Sequence, residues 1–180
     1  MVSISTLPAY AANVVKLPNY SVYKQSGDNC WAYAILSMEN YIYGGYSIND
    51  VYDAFYYATG NQYKLNDGAN VNEALKVMKY IFSGYSPAKC GVLTANEIRM
   101  EIDSNFPVYI RGGDINSAGG HAVALMGYRD GGSDGVSMIY YMNSATGKVM
   151  YTGYAENSVN TFYTNNSQVY EWENSIIIAG

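Results

Sequence analysis

A change of hydrophobic period near residue 105 constrains this chain more than any other feature. Before it, apolar residues recur at spacings of three and four. After it, they fall in short runs rich in Val, Ile and Tyr, bounded by Gly, Ser and Asp. A helix needs the first pattern to bury one stripe, and half-buried strands favour the second. Helices first and strands after give an α+β class, with a cleft expected where the two parts meet.

Punctuation along the chain agrees. The apolar residues Trp31, Ala34, Ile35, Met38 and Ile42 place one helix from Cys30 to about Tyr43, stopped by Gly44-Gly45. Ser47-Ile48-Asn49-Asp50 is a capping box with Asp in place of Glu, opening a second helix to about Ala58. Asn70 or Asn72 opens a third, with Val71, Leu75, Met78 and Ile81 as its stripe. Thr94-Ala95-Asn96-Glu97 opens a fourth, which ends near Ser104-Asn105. Strands are predicted at Phe106–Arg111, His121–Tyr128, Val136–Met142, Lys148–Tyr154, Thr161–Tyr170 and Ile176–Ile178. A Gly- and Ser-rich loop runs to Gly120, and Asp130–Gly135 forms a turn. Two Leu-Pro pairs, Leu7-Pro8 and Leu17-Pro18, keep residues 7–24 extended. With no repeat or linker, residues 1–180 form a single domain. Its helical part covers about 25–105, and its β part about 106–180 plus the N-terminal extended segment.

Composition excludes several classes of function. The chain is 49% hydrophobic and 14% charged, which suits a packed core. Its net charge is −5, and its 10 Lys and Arg are scattered singly, so nucleic acid is not an expected partner. No apolar run approaches the ~20 residues of a membrane span. Two cysteines, Cys30 and Cys90, make no disulfide framework. With one histidine they supply too few ligands for zinc, so no metal or cofactor is expected. Low lysine content with abundant Tyr, Asn, Ser and Gly leans toward a secreted or cell-surface protein. Met1-Val2-Ser3-Ile4-Ser5 has no signal character, so a signal or pro-segment is expected to be absent from the sequence.

The chemistry-bearing stretch is Gln25-Ser26-Gly27-Asp28-Asn29-Cys30-Trp31-Ala32-Tyr33-Ala34. A polar turn leads into a helix whose first residue is Cys30. Asp28 or Asn29 is placed to cap it, and a helix N-terminus favours thiolate over thiol. Read alone, Cys30 is equally at home as buried filler. The only imidazole, His121, begins a small-residue strand after Gly119-Gly120. Asn143 ends the next strand, where a side-chain amide can accept from an imidazole N–H; it could equally be an ordinary turn former. Gln25 could aim an amide at an oxyanion beside the Cys30 N–H, or be a polar loop residue.

Gln25…Cys30-Trp31-Ala32-Tyr33, then Gly120-His121-Ala122-Val123-Ala124-Leu125-Met126-Gly127-Tyr128, then Asn143-Ser144 resembles the papain-like cysteine peptidases, most of all small bacterial members such as the staphopains. The resemblance implies a two-lobed fold with the cysteine helix on one wall and the histidine on the other. It implies Cys30 as nucleophile, His121 as base and then acid, Asn143 as orienter and Gln25 as oxyanion donor. A cationic imidazole would hold the thiolate, and a thioester acyl-enzyme would be resolved by water. A protein or peptide is the implied substrate, and a pro-segment or protein inhibitor a further partner. Two departures stand out: Gln25 lies one residue closer to the cysteine than in papain, and Ala145 replaces the Trp that shields the asparagine from water. Cys90 has no imidazole nearby and reads as structural. Two other readings are a Cys-His amidase acting on cell-wall peptides and a tyrosine-rich binding module on the same scaffold.

Overall fold

A computed structural model of the chain describes residues 13–63, 68–131, 135–165 and 168–178. The expected Leu7-Pro8 segment and the centre of the Asp130–Gly135 turn lie outside them. The described residues hold four helices, α1 (Cys30–Ile42), α2 (Ile48–Thr59), α3 (Val71–Ile81) and α4 (Ala95–Asp103). Three begin with reciprocal caps that satisfy N–H groups the first turn would leave orphaned. At α3 the Asn70 side chain accepts from the N–H groups of Asn72 and Glu73 at 2.9 and 3.1 Å, while the Glu73 carboxylate accepts from the Asn70 N–H at 2.9 Å. Glu97 accepts from the Thr94 N–H at 2.7 Å, and Asp50 from the Ser47 N–H at 2.6 Å.

The start of α1 is built differently. Asn29 stands at its N-cap, yet no side-chain cap bond forms. The Asn29 amide donates instead to the Tyr52 hydroxyl of α2. The expected Asp28 or Asn29 cap is thus replaced by a tether to a neighbouring helix. Gly27, at φ 77°, supplies the left-handed step that turns the chain toward Cys30.

Among the described residues eight strands join one sheet: β1 (Val14–Lys16), β2 (Ala88–Cys90), β3 (Val108–Asp114), β4 (Gly120–Asp130), β5 (Val136–Asn143), β6 (Lys148–Gly153), β7 (Thr161–Asn165) and β8 (Gln168–Ile177). The order is β2-β8-β3-β4-β5-β6, with β1 on β4 and β7 on β8. Every pairing is antiparallel. Two expected strands are divided differently. Thr161–Tyr170 spans β7 and the start of β8, which pair with each other. Ile176 and Ile177 end β8, because its ladder with β3 and β2 continues through them. Gly112 and Gly113, expected in a loop, lie inside β3. Strand β2 comes from the helical half of the sequence; three residues are too few to display a period.

Helix α1 contacts β3, β4 and β5 as well as α2 and α3. It is therefore buried almost all round from Trp31 to Glu39, not along a single stripe. The Trp31 ring meets Phe55 at 5.2 Å and Tyr63 at 5.5 Å between centroids, fixing the start of α1 against α2.

Gly112 sits at a register shift in β3, paired with His121 of β4 and Trp172 of β8. A Cβ there would lie 2.6 Å from both the Glu171 carbonyl oxygen and the Phe162 ring. Gly112→Ala is therefore expected to cost about 1–3 kcal/mol. The measurement is urea unfolding, with a lower midpoint at an unchanged slope.

Candidate active site

Cys30 opens α1, and the Ala122 N–H of β4 donates to its Sγ at 3.3 Å. The thiol therefore lies beside the backbone that carries His121. His121 is 5% exposed, and its Nε2 lies 3.1 Å from Asn143 Oδ1. Asn143, the last residue of β5, is 0% exposed. Its Nδ2 donates to the carbonyls of Tyr163 at 2.9 Å and Thr164 at 2.8 Å, and its Oδ1 also accepts from the Ala145 N–H at 3.0 Å. Because carbonyls claim the amide hydrogens, Oδ1 must face the ring. Nε2 then carries the hydrogen, and neutral His121 keeps its lone pair on Nδ1.

The expectation that Ala145 leaves Asn143 open to water is not met. The rings of Tyr170 on β8 and Phe162 on β7 lie 5.3 and 6.4 Å from the imidazole centroid. They supply from the end of the chain the aromatic cover that Ala145 lacks. In sequence they are ordinary members of an alternating β pattern, so nothing marked them in advance.

Gln25 is held by both ends of its amide. Its Nε2 donates to the Gly27 carbonyl at 2.8 Å, and its Oε1 accepts from the Ser144 hydroxyl at 2.6 Å. The Gln25 N–H also donates to the Ser144 carbonyl at 2.8 Å. Gln25 thus stitches the turn before Cys30 to the strand end carrying Asn143, and one Nε2 hydrogen remains uncommitted. Ser144, fully buried, is the partner that sequence reasoning passed over.

Charge is disfavoured throughout this cluster. Burial pushes the Cys30 thiol up; the N–H groups of Ala122, Trp31 and Cys30 itself pull it down by less. Burial pushes His121 down to about 4, and the Asn143 hydrogen bond only partly opposes this. The helix-terminal preference for thiolate is therefore opposed by desolvation, which favours the neutral form of both groups. Gln25, Cys30 and His121 line a cleft of about 590 Å³, with Asn143 behind the imidazole. Cys90 is a free thiol on β2, half-buried, with its Sγ toward the Ser175 carbonyl at 3.9 Å. Among the described residues no cluster of His, Cys, Asp or Glu could hold a metal, and no helix is long and apolar enough to cross a membrane.

The sequence profile of the Peptidase_C39 like family matches residues 8–171. The chain belongs to this family. Its membership points to cysteine peptidase activity on a peptide substrate. The narrower likeness to staphopains is not part of that match. A crystal structure of a Bacillus anthracis protein assigned as a C39-like peptidase superposes with a TM-score of 0.63. The superposition covers 93% of this chain and 98% of that one; at 12% identity it supports the mixed α/β fold alone. No curated protein matches the chain significantly.

The His121 environment predicts a pH window for stability. Its folded pKa, about 4, lies below the ordinary 6.5, so the unfolded chain takes up the proton first as pH falls. Stability is lost from about pH 6.5 down to about 4, by roughly 3 kcal/mol, and that loss then levels off. Denaturation of wild type beside His121→Gln should show this segment of the pH dependence in wild type only.

Proposed function

We propose that this chain is a cysteine peptidase of papain-like mechanism, with α1 and the sheet as the two walls of its cleft. The observation that carries the reading is the convergence of Cys30, His121 and Asn143, from three separate elements, beside one cleft. In this reading Cys30 Sγ attacks the scissile carbonyl carbon as its proton passes to His121 Nδ1, the nitrogen that Asn143 does not engage. The imidazolium, held in register by Asn143, gives that proton to the departing amine nitrogen as the C–N bond breaks and a thioester forms. Water then attacks the thioester with His121 again as base. The acid product leaves and the thiol is restored.

Burial disfavours both charged forms, so the charge separation of attack must be stabilised when it forms. The Ala122 N–H serves the sulfur. The Cys30 N–H at the helix start and the second Nε2 hydrogen of Gln25 serve the developing oxyanion. Composition supports a secreted or cell-surface setting, where extracellular proteins would be substrates.

Hydrolysis of casein and of quenched fluorescent peptides tests the reading. Cys30→Ala is expected to fall to background, and His121→Ala by roughly 10²–10⁴-fold in kcat/KM. Asn143→Ala should lower kcat, and it should also lower stability by about 1–3 kcal/mol because it strands the Tyr163 and Thr164 carbonyls. Release of peptides from cell-wall material, with casein untouched, would move the assignment to an amidase. Full activity in Cys30→Ala would end the thiol mechanism.

A further inference from the structure

The cleft carries a second group of polar side chains that the reaction does not use. Tyr109 and Arg111 stand two residues apart on β3, on one face, opposite Ala124 and Ala122 of β4. Both line the cleft with Cys30. The guanidinium lies directly over Gly120, where a Cβ would meet Arg111 Nη2 at 2.7 Å. It is thus next to the backbone of His121. Tyr109 is 0% exposed, and its hydroxyl has no hydrogen-bond partner among the described residues. Burying an unpaired O–H is costly, and phenylalanine would fill the same space without that cost. Arg111 pairs with Glu173 of β8, itself half-exposed. Such pairs contribute little, and one carboxylate does not occupy all five donors of a guanidinium.

The cleft is also polarised. Its carboxylates, Asp28 and Asp114, line it together with one arginine, Arg111. Asp114 is further engaged by its own loop, accepting from the Asn116 N–H at 2.8 Å and the Ser117 hydroxyl at 2.9 Å. The Tyr109–Arg111 end therefore offers a cation and an uncommitted O–H donor with small residues around them, which is the donor set a carboxylate takes.

Resting on the peptidase reading, we propose that Tyr109 and Arg111 form a subsite for a carboxylate-bearing side chain, Glu or Asp, of the peptide substrate. Glu173 is the internal carboxylate that the substrate displaces from Arg111.

The test uses peptide pairs that differ only by Glu against Gln, moved in turn through each position flanking the cleaved bond. The readout is the Glu/Gln ratio of kcat/KM. At one position wild type should prefer Glu by about tenfold or more. Arg111→Gln should bring that ratio toward one, Tyr109→Phe should cut it several-fold, and Glu173→Gln should raise it. If Arg111→Gln does not fold, Arg111→Lys keeps the charge without the fork and should retain part of the preference. Binding of the same pairs to Cys30→Ala, followed by fluorescence anisotropy, separates the two readings. Glu-selective binding with no cleavage by wild type would overturn the peptidase assignment and keep the subsite. Equal kcat/KM and equal binding for Glu and Gln at every position would overturn the subsite.

Discussion

Two backbone carbonyls, those of Tyr163 and Thr164, decide which way the Asn143 amide faces, and the candidate site depends on that choice. A buried amide has two donors and one acceptor oxygen. Once the donors are claimed, the oxygen must point at His121. The bond it makes fixes the ring's tautomer and leaves Nδ1 as the free base. β7 presents those carbonyls and β5 ends at the amide, while β4 delivers the imidazole. The sheet connectivity is thus what turns three distant residues into one hydrogen-bonded set, and the rings of Phe162 and Tyr170 pack beside the imidazole.

Enclosure has a second effect that runs against the first. The same burial that sharpens the Asn143–His121 bond disfavours both charged forms, a thiolate at Cys30 and an imidazolium at His121. Burial therefore works against a preformed ion pair. What the structure holds is a thiol contacted by an N–H donor and an imidazole with its lone pair free on Nδ1. Desolvation also strengthens each N–H aimed at the site, so charge formed during attack meets dipoles already in place.

Much of this was legible in the residues. The caps at Ser47, Asn70 and Thr94 are local, reciprocal and built from side chains whose spacing alone defines them, and they appear where the spacing puts them. The start of α1 was not legible, because Asn29 is recruited by Tyr52, a contact that exists only once α1 and α2 are packed. The Gly112-Gly113 pair reads as a loop by composition. Its place inside β3 follows from how closely Phe162 and the Glu171 carbonyl approach, which is a tertiary fact. Cys30, His121 and Asn143 were visible through their motif neighbourhoods. The aromatic cover, the Ser144–Gln25 stitch and the Tyr109–Arg111 pair were not, since alternating strands contain many Tyr and Ser residues of no special role.

His121 Nδ1 is the proposed base for the Cys30 thiol. The most direct test is the pH dependence of Cys30 alkylation by iodoacetamide, wild type beside His121→Ala, with the modified site identified by mass spectrometry. Wild type is expected to label faster than His121→Ala at neutral pH, because unprotonated His121 Nδ1 can take the thiol proton as Sγ is alkylated. In His121→Ala the thiol, raised by burial, should label only well into the alkaline range. The same alkaline profile in both proteins would show that His121 does not act on Cys30.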